Sequence, residues 1–333
     1  MHGGRQKAIF VIIGKAIFTI FGNSKQVKKR SNLLAYLALG AICVIWGTTY
    51  LALRVGVTQF PPFLFSSIRF LIAGPILLGL LFMLGKGSKP TRKFLFHQAV
   101  SGLLMCTLGV GVVGWAETIV SSGLAAIICS VMPIWVILIN ISITSEEKPT
   151  IPIVIGLMIG LIGIVLIFGE HVTEFSNPQY AFCIIMAFFG NISWSFGTVW
   201  MKQKNQNTDP ILAASWQMFF GGVFLIPMSL VFDDYTNIHW TAGSLIAMGH
   251  LILFGSVAAY TCLGYAIKKL PVTIVSLYAY INPIVAVVLG GLILNEKLNF
   301  QIGIGILITL AGIYIVNRGY QFKEFWKAQF SKQ

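Results

Sequence analysis

The chain has 333 residues, 56% of them hydrophobic and only 10% charged, with mean hydropathy +0.84. A soluble domain carries about 25% charged residues, so a water-soluble globular enzyme or binding domain is excluded and a polytopic membrane protein is indicated. The net charge of +13 does not point to nucleic acid either, because Lys and Arg sit in short clusters between apolar runs, where such residues set topology.

Residues 1–31 form an arm. Its apolar run, 8–22, is short and split by Lys15. A spanning helix needs ~20 apolar residues, so an interfacial or disordered arm is expected, with an extra span or an uncleaved signal as the alternative. Ten spans are then expected at 33–55, 62–84, 95–117, 121–144, 152–168, 178–201, 210–231, 243–266, 272–294 and 301–317. They divide the chain into a first five-helix repeat, 32–168, a second, 178–317, and a basic tail, 318–333.

Loop charges alternate with the spans. One side carries Lys86, Lys89, Arg92 and Lys93, then Lys148, then Lys202 and Lys204, then Lys268 and Lys269. The opposite side carries Glu170, Glu174, Asp233, Asp234 and Glu296, with Lys297 as its clear cation. The positive-inside bias places both termini in the cytoplasm. The five cysteines (43, 106, 129, 183, 262) all fall inside apolar runs and form no Cys-x-x-Cys pair. They read as small buried hydrophobes, and no metal site or cofactor is expected.

Segment 46–69, WGTTYLALRVGVTQFPPFLFSSIR, recurs without a gap at 194–217, WSFGTVWMKQKNQNTDPILAASWQ. A cation follows each Trp by eight residues (Arg54, Lys202), a Pro by sixteen (Pro62, Pro210), a long polar side chain by twenty-three (Arg69, Gln217) and a Gly by twenty-eight (Gly74, Gly222). Further on, Trp115-Ala116 aligns with Tyr265-Ala266, Pro133 with Pro283 and Gly163 with Gly312. Five spans per copy is an odd number, so the second copy runs inverted. That is the arrangement of many secondary transporters, with a substrate site near the midplane between the halves. The expected fold is therefore all-α: ten transmembrane helices as two inverted five-helix repeats.

The segments WGTTYLALRVG, PPFLFSSIRFLIAG and SLYAYINPIVAVVLGGLILNEKL resemble EamA-type permeases of the drug/metabolite transporter superfamily. GWAETIVSSGLAAIICSVMP resembles the branch of amino-acid and metabolite exporters. The resemblance spans residues 32–317. It implies a ten-helix fold in the bacterial inner membrane, often coupled to protons. The arm 1–31 departs from the pattern.

Ionisable groups at membrane depth are the informative residues. Arg69 lies seven residues after Pro62, ~10 Å deep at 1.5 Å per residue. It is a clamp for a substrate anion or a structural Arg bonded to carbonyls. Glu117, the carboxylate assigned to a span, is a proton acceptor, an outer-gate partner of Arg54 or Arg69, or a solvated acid. An Arg69–Glu117 pair, direct or through water, is expected when substrate is absent. Arg54 is a gating candidate whose simpler reading is snorkelling. His250 is a proton-relay candidate or a satisfied helix histidine. Trp46, Thr49, Tyr50, Trp194, Thr198 and Gln217 are substrate-binding candidates, with packing and interhelical hydrogen bonding as the alternatives.

No catalytic constellation and no phosphate-binding loop is visible. The expected function is a secondary transporter, exporting small metabolites or amino acids by alternating access, with a small-molecule substrate, protons as the expected coupling ion and the lipid bilayer as its surroundings. An uncoupled facilitator and a drug or toxic-organic exporter remain open within the class. A membrane enzyme and a non-transporting sensor are the readings from other classes.

Overall fold

The computed structural model describes residues 29–58, 60–85, 89–143, 149–236, 238, 241–293 and 299–330. The expectations for residues 1–28, for Lys86, Lys148, Glu296 and Lys297 and for the last three residues lie outside these.

Every regular element among the described residues is helical. The spans are α1 (Lys29–Val57), α2 (Pro62–Met83), α3 (Arg92–Ala116), α4 (Ser122–Ser130 and Met132–Ile143), α5 (Ile151–Ile167), α6 (Ala181–Lys204), α7 (Pro210–Phe232), α8 (Ala242–Lys269), α9 (Val272–Ser276 and Tyr278–Ile293) and α10 (Phe300–Phe330). Nine of these are long and apolar enough to cross a bilayer on their own. The tenth, α5, has 17 residues, about 26 Å at 1.5 Å per residue. It ends where the chain turns by 88° into a 3-10 helix, Gly169–Ser176. The fold is that of ten transmembrane helices in two inverted repeats.

Local chemistry sets where the spans begin. Pro62 and Pro210 occupy the first turns of α2 and α7, where a missing N–H costs nothing. Asp209 caps α7 by accepting from Ile211 N and Leu212 N. For α2 the same service comes from a distance: Asp233, just past α7, accepts from Phe63 N and Leu64 N at 3.2 and 2.7 Å. Thr91 and Ser121 cap α3 and α4, and Thr241 with Ser244 forms a capping box on α8.

Helices pack against their own repeat equivalents. The crossing of α2 with α7 rests on the glycines twenty-eight residues after each Trp. A Cβ on Gly74 would lie 2.8 Å from Ser215 O, and one on Gly222 would lie 2.9 Å from Leu71 N. Ser67 Oγ donates to Gly222 O across the same contact. Likewise α5 crosses α10 where Gly163 faces Gly305 and Thr309, and Gly312 faces Gly156 and Gly160. Elsewhere the repeats interdigitate: α1 packs on α8 and α9, while α6 packs on α3 and α4. A space bounded by these helices is built from both halves.

The middles of α3 and α8 are π-helical, at Gly102–Gly111 and Leu251–Ala258. These stretches are repeat equivalents. A π turn widens the helix and shifts its carbonyls out of the regular ladder, which the glycine-rich sequence of α3 did not announce.

Candidate functional site

A central cavity of about 770 Å³, its open mouth included, lies between the repeats. Trp46 and Trp194, the two repeat tryptophans, meet edge to face at its base with centroids 5.5 Å apart. Trp46 Nε1 donates to Gly255 O (3.0 Å), and Trp194 Nε1 donates to the Tyr278 hydroxyl (2.6 Å). Each indole thus satisfies its N–H and leaves ring surface for the cavity. Tyr260 and Tyr278 pack edge-on against Trp46.

Two ionisable side chains, Arg69 and Glu117, line this apolar space. Arg69 is 4% exposed. Its Nε donates to Ser256 Oγ (2.7 Å) and its Nη2 to Gly255 O (3.0 Å), so the guanidinium is held against the π-helical stretch of α8. Glu117 caps the end of α3 and is fully buried. Neither of its carboxyl oxygens has a hydrogen-bond partner. Buried polar atoms are normally satisfied, and Glu117 is among the residues that line the cavity.

The expected Arg69–Glu117 pair is not formed as a direct contact. Among the described residues the ion pairs within 4.0 Å join His171 to Glu170 and to Glu174. The physical reason is that closer acceptors exist: Gly255 O and Ser256 Oγ, both on the π-helical stretch, take two of the five guanidinium N–H donors. Both side chains nevertheless line the same cavity.

Arg54 is tied to the end of α3. Its Nη1 donates to Glu117 O (3.0 Å) and Val120 O (2.8 Å). Lys202, its repeat equivalent, donates from Nζ to Ile267 O (2.7 Å) and Leu270 O (2.8 Å). Each cation therefore closes the carbonyl end of the helix two spans on, at opposite ends of the bundle, as helix C-termini favour.

Of the sequence candidates, Trp46, Thr49, Tyr50, Arg69, Glu117 and Trp194 line the cavity. Thr198 spends its hydroxyl on Trp194 O. Gln217 donates to Met105 Sδ (3.3 Å), the mirror of Arg69 reaching Gly255. His250 Nε2 hydrogen-bonds Thr48 Oγ1 at 2.8 Å. These three and Arg54 lie outside the lining. Sequence reasoning missed Tyr260, Tyr278, Asn282 and Cys129 as cavity residues. Two of them stood in SLYAYINP, a segment read only for its family likeness.

At the surface, Ser121 Oγ donates to Glu174 Oε1 (2.8 Å), and His171 Nδ1 bonds the same oxygen. Burial raises the Glu174 carboxyl, but the hydrogen bonds from His171 and Ser121 outweigh it and hold it below the ordinary carboxylate range.

The sequence model of the EamA-like transporter family matches this chain twice, over residues 32–169 and 181–318. The chain belongs to that family. YedA of Escherichia coli K12, described as an uncharacterized inner membrane transporter, is 32% identical over 298 residues, covering 87% of this chain and 92% of its own. YoaV of Bacillus subtilis 168, an uncharacterized transporter, is 25% identical over 281 residues, covering 84% and 95%. A solved crystal structure at 17% identity superposes with TM-score 0.70 over 87% of this chain and 98% of its own, which shows the fold alone. The protein is a multi-pass membrane transporter of the EamA family.

Proposed function

We propose that the protein is a secondary transporter that exports small, partly apolar metabolites, amino acids foremost, across the inner membrane by alternating access. One observation carries this reading: a cavity built from both repeats, aromatic at its base, presents a fixed guanidinium and an unsatisfied carboxyl on its wall. An amino acid has the complementary set of groups, with a carboxylate for Arg69, an ammonium for Glu117 and a side chain for the tryptophan surface.

Glu117 also supplies a place for a proton. Its carboxyl is charged beside an ammonium and is better neutral when the cavity is empty and dry, so solute and proton exchange at one group. Both termini are assigned to the cytoplasm by the loop cations, and the Glu117 end of the cavity faces the periplasm. A toxic-organic exporter and an uncoupled facilitator stand as second readings, favoured by the aromatic base and by the scarcity of buried acids respectively. Neither an enzyme nor a sensor is needed to explain the site.

Purified protein in liposomes, tested over amino acids and organic cations with and without a pH gradient, separates these readings. Saturable amino-acid flux that responds to the gradient supports the proposal. Flux of organic cations alone favours the drug exporter, and gradient-independent flux favours the facilitator.

A further inference from the structure

A second cleft, about 340 Å³ with its open mouth, lies at the other end of the bundle, between the end of α6, the start of α7 and the end of α8. Tyr260 lines both this cleft and the central cavity. Its side chain is 2% exposed. The ring stands edge-on to Trp46 and Trp194 at 5.9 Å each and to Phe70 at 5.8 Å. Its hydroxyl lies 3.6 Å from Cys106 Sγ. One ring therefore separates two spaces that would otherwise meet, and it lies two residues beyond the π-helical stretch of α8.

The two ends differ in charge. Among the described residues the second cleft is lined by Lys202 and Lys268, while Asp209, between the lining residues Thr208 and Pro210, spends its carboxylate on the α7 N-terminus. Lys268 Nζ donates to Thr208 O at 3.0 Å, and Lys202 is held by the carbonyls of Ile267 and Leu270. Carbonyls fix these ammonium groups at the wall. Under the alignment that pairs Trp115 with Tyr265, the equivalents of Ile267 and Lys268 are Glu117 and Thr118. Both ends keep the repeat cation, Arg54 or Lys202, but one adds Glu117 where the other adds Lys268 one position on.

We infer that Tyr260 is the barrier on a single transport path, and that the Lys202–Lys268 cleft is the path's second mouth, selecting solutes that carry a carboxylate. This rests on the transport reading above and adds to it the barrier residue and the charge class admitted. A cationic mouth raises the local concentration of anions. A solute entering there reaches Tyr260 first and Arg69 next, once the ring swings aside.

Two thiol-labelling measurements test this without any transported solute. In a chain whose five native cysteines are replaced by alanine, Thr208→Cys is reacted with the anionic sulfonatoethyl and the cationic trimethylammonioethyl methanethiosulfonate, each normalised to a free thiol in solution. The anionic reagent should lead by about tenfold or more. Equal rates, or a lead for the cationic reagent, overturn the anion assignment. In a chain keeping only Cys106, the anionic reagent should fail with Tyr260 in place and with Tyr260→Phe, and react in Tyr260→Ala and in the bulkier Tyr260→Leu. Reaction with Tyr260 intact, or protection in both of the last two variants, overturns the barrier. Because no flux is read, failure here is distinct from failure of the transport proposal, which the liposome panel decides.

Discussion

Arg69 and Glu117 decide what the cavity can recognise. Arg69 keeps two of its donors on Ser256 and Gly255, so the fork is already aimed before solute arrives. A charged hydrogen bond contributes about 1.5–3 kcal/mol, so Arg69→Ala should lower flux of a carboxylate solute by about 10- to 100-fold. Arg69→Lys should recover only part, since a point charge lacks the fork. Initial-rate flux normalised to membrane-inserted protein is the measurement, and full activity in Arg69→Ala would remove the clamp. Glu117→Gln should leave solute affinity nearly intact while flattening the response of flux to pH. An unchanged pH profile would take the proton away from this residue. Both residues were legible in the sequence because a charge inside an apolar run is conspicuous. What each one bonds was not legible. The Gly255 carbonyl that displaces Glu117 as Arg69's partner is freed by a π turn, and no residue pattern in LILFGSVA spells that geometry. Tyr260 and Tyr278 were hidden for another reason: aromatic residues in a span are common, and only the fold brings these two beside Trp46.

At the scale of elements, the repeat spacing turned out to encode structure position by position. The residue eight after each Trp closes a helix end, the one at sixteen starts a helix, and the one at twenty-eight lets two helices touch. The Arg54 and Lys202 closures should therefore contribute to stability in the same way at opposite ends. Arg54→Ala and Lys202→Ala should each cost about 1.5–3 kcal/mol, read as lowered unfolding midpoints in detergent, while Arg54→Lys and Lys202→Arg should cost less. Unchanged midpoints in the alanine variants would mean that the closures carry no energy. At the α5–α10 crossing, Gly312→Leu should cost at least about 1–3 kcal/mol, because a first side-chain carbon already meets the backbone of Gly160 and Gly156. On the 3-10 helix, Glu174 has a depressed carboxyl. Its stabilisation is present above the ordinary Glu value of about 4.3 and is lost as pH falls through the lower folded value. Protection of Gly169–Ser176 amides, measured against the intrinsic exchange rate at each pH, should be high at neutral pH and fall at acid pH. Glu174→Gln should show the lower protection throughout, and matching profiles in the two proteins would contradict a stabilising role for the Ser121 and His171 bonds to Glu174.

For the whole molecule, the count of spans, their inversion and the division into halves could be read from hydropathy, loop cations and the ungapped repeat, since these are one-dimensional signals. The interleaving of α1 with α8 and α9, and of α6 with α3 and α4, could not, because it depends on which faces meet in three dimensions. That interleaving is what puts the cavity between the repeats and makes it the transport path in this account. Cys129 lines the cavity and is partly exposed, which allows a direct test. In a chain keeping only Cys129, reconstituted into liposomes, uptake of a radiolabelled amino-acid mixture is measured before and after a bulky maleimide occupies that thiol. The account predicts that full modification abolishes flux and that excess amino acids slow the modification. Undiminished flux through fully modified protein would contradict it.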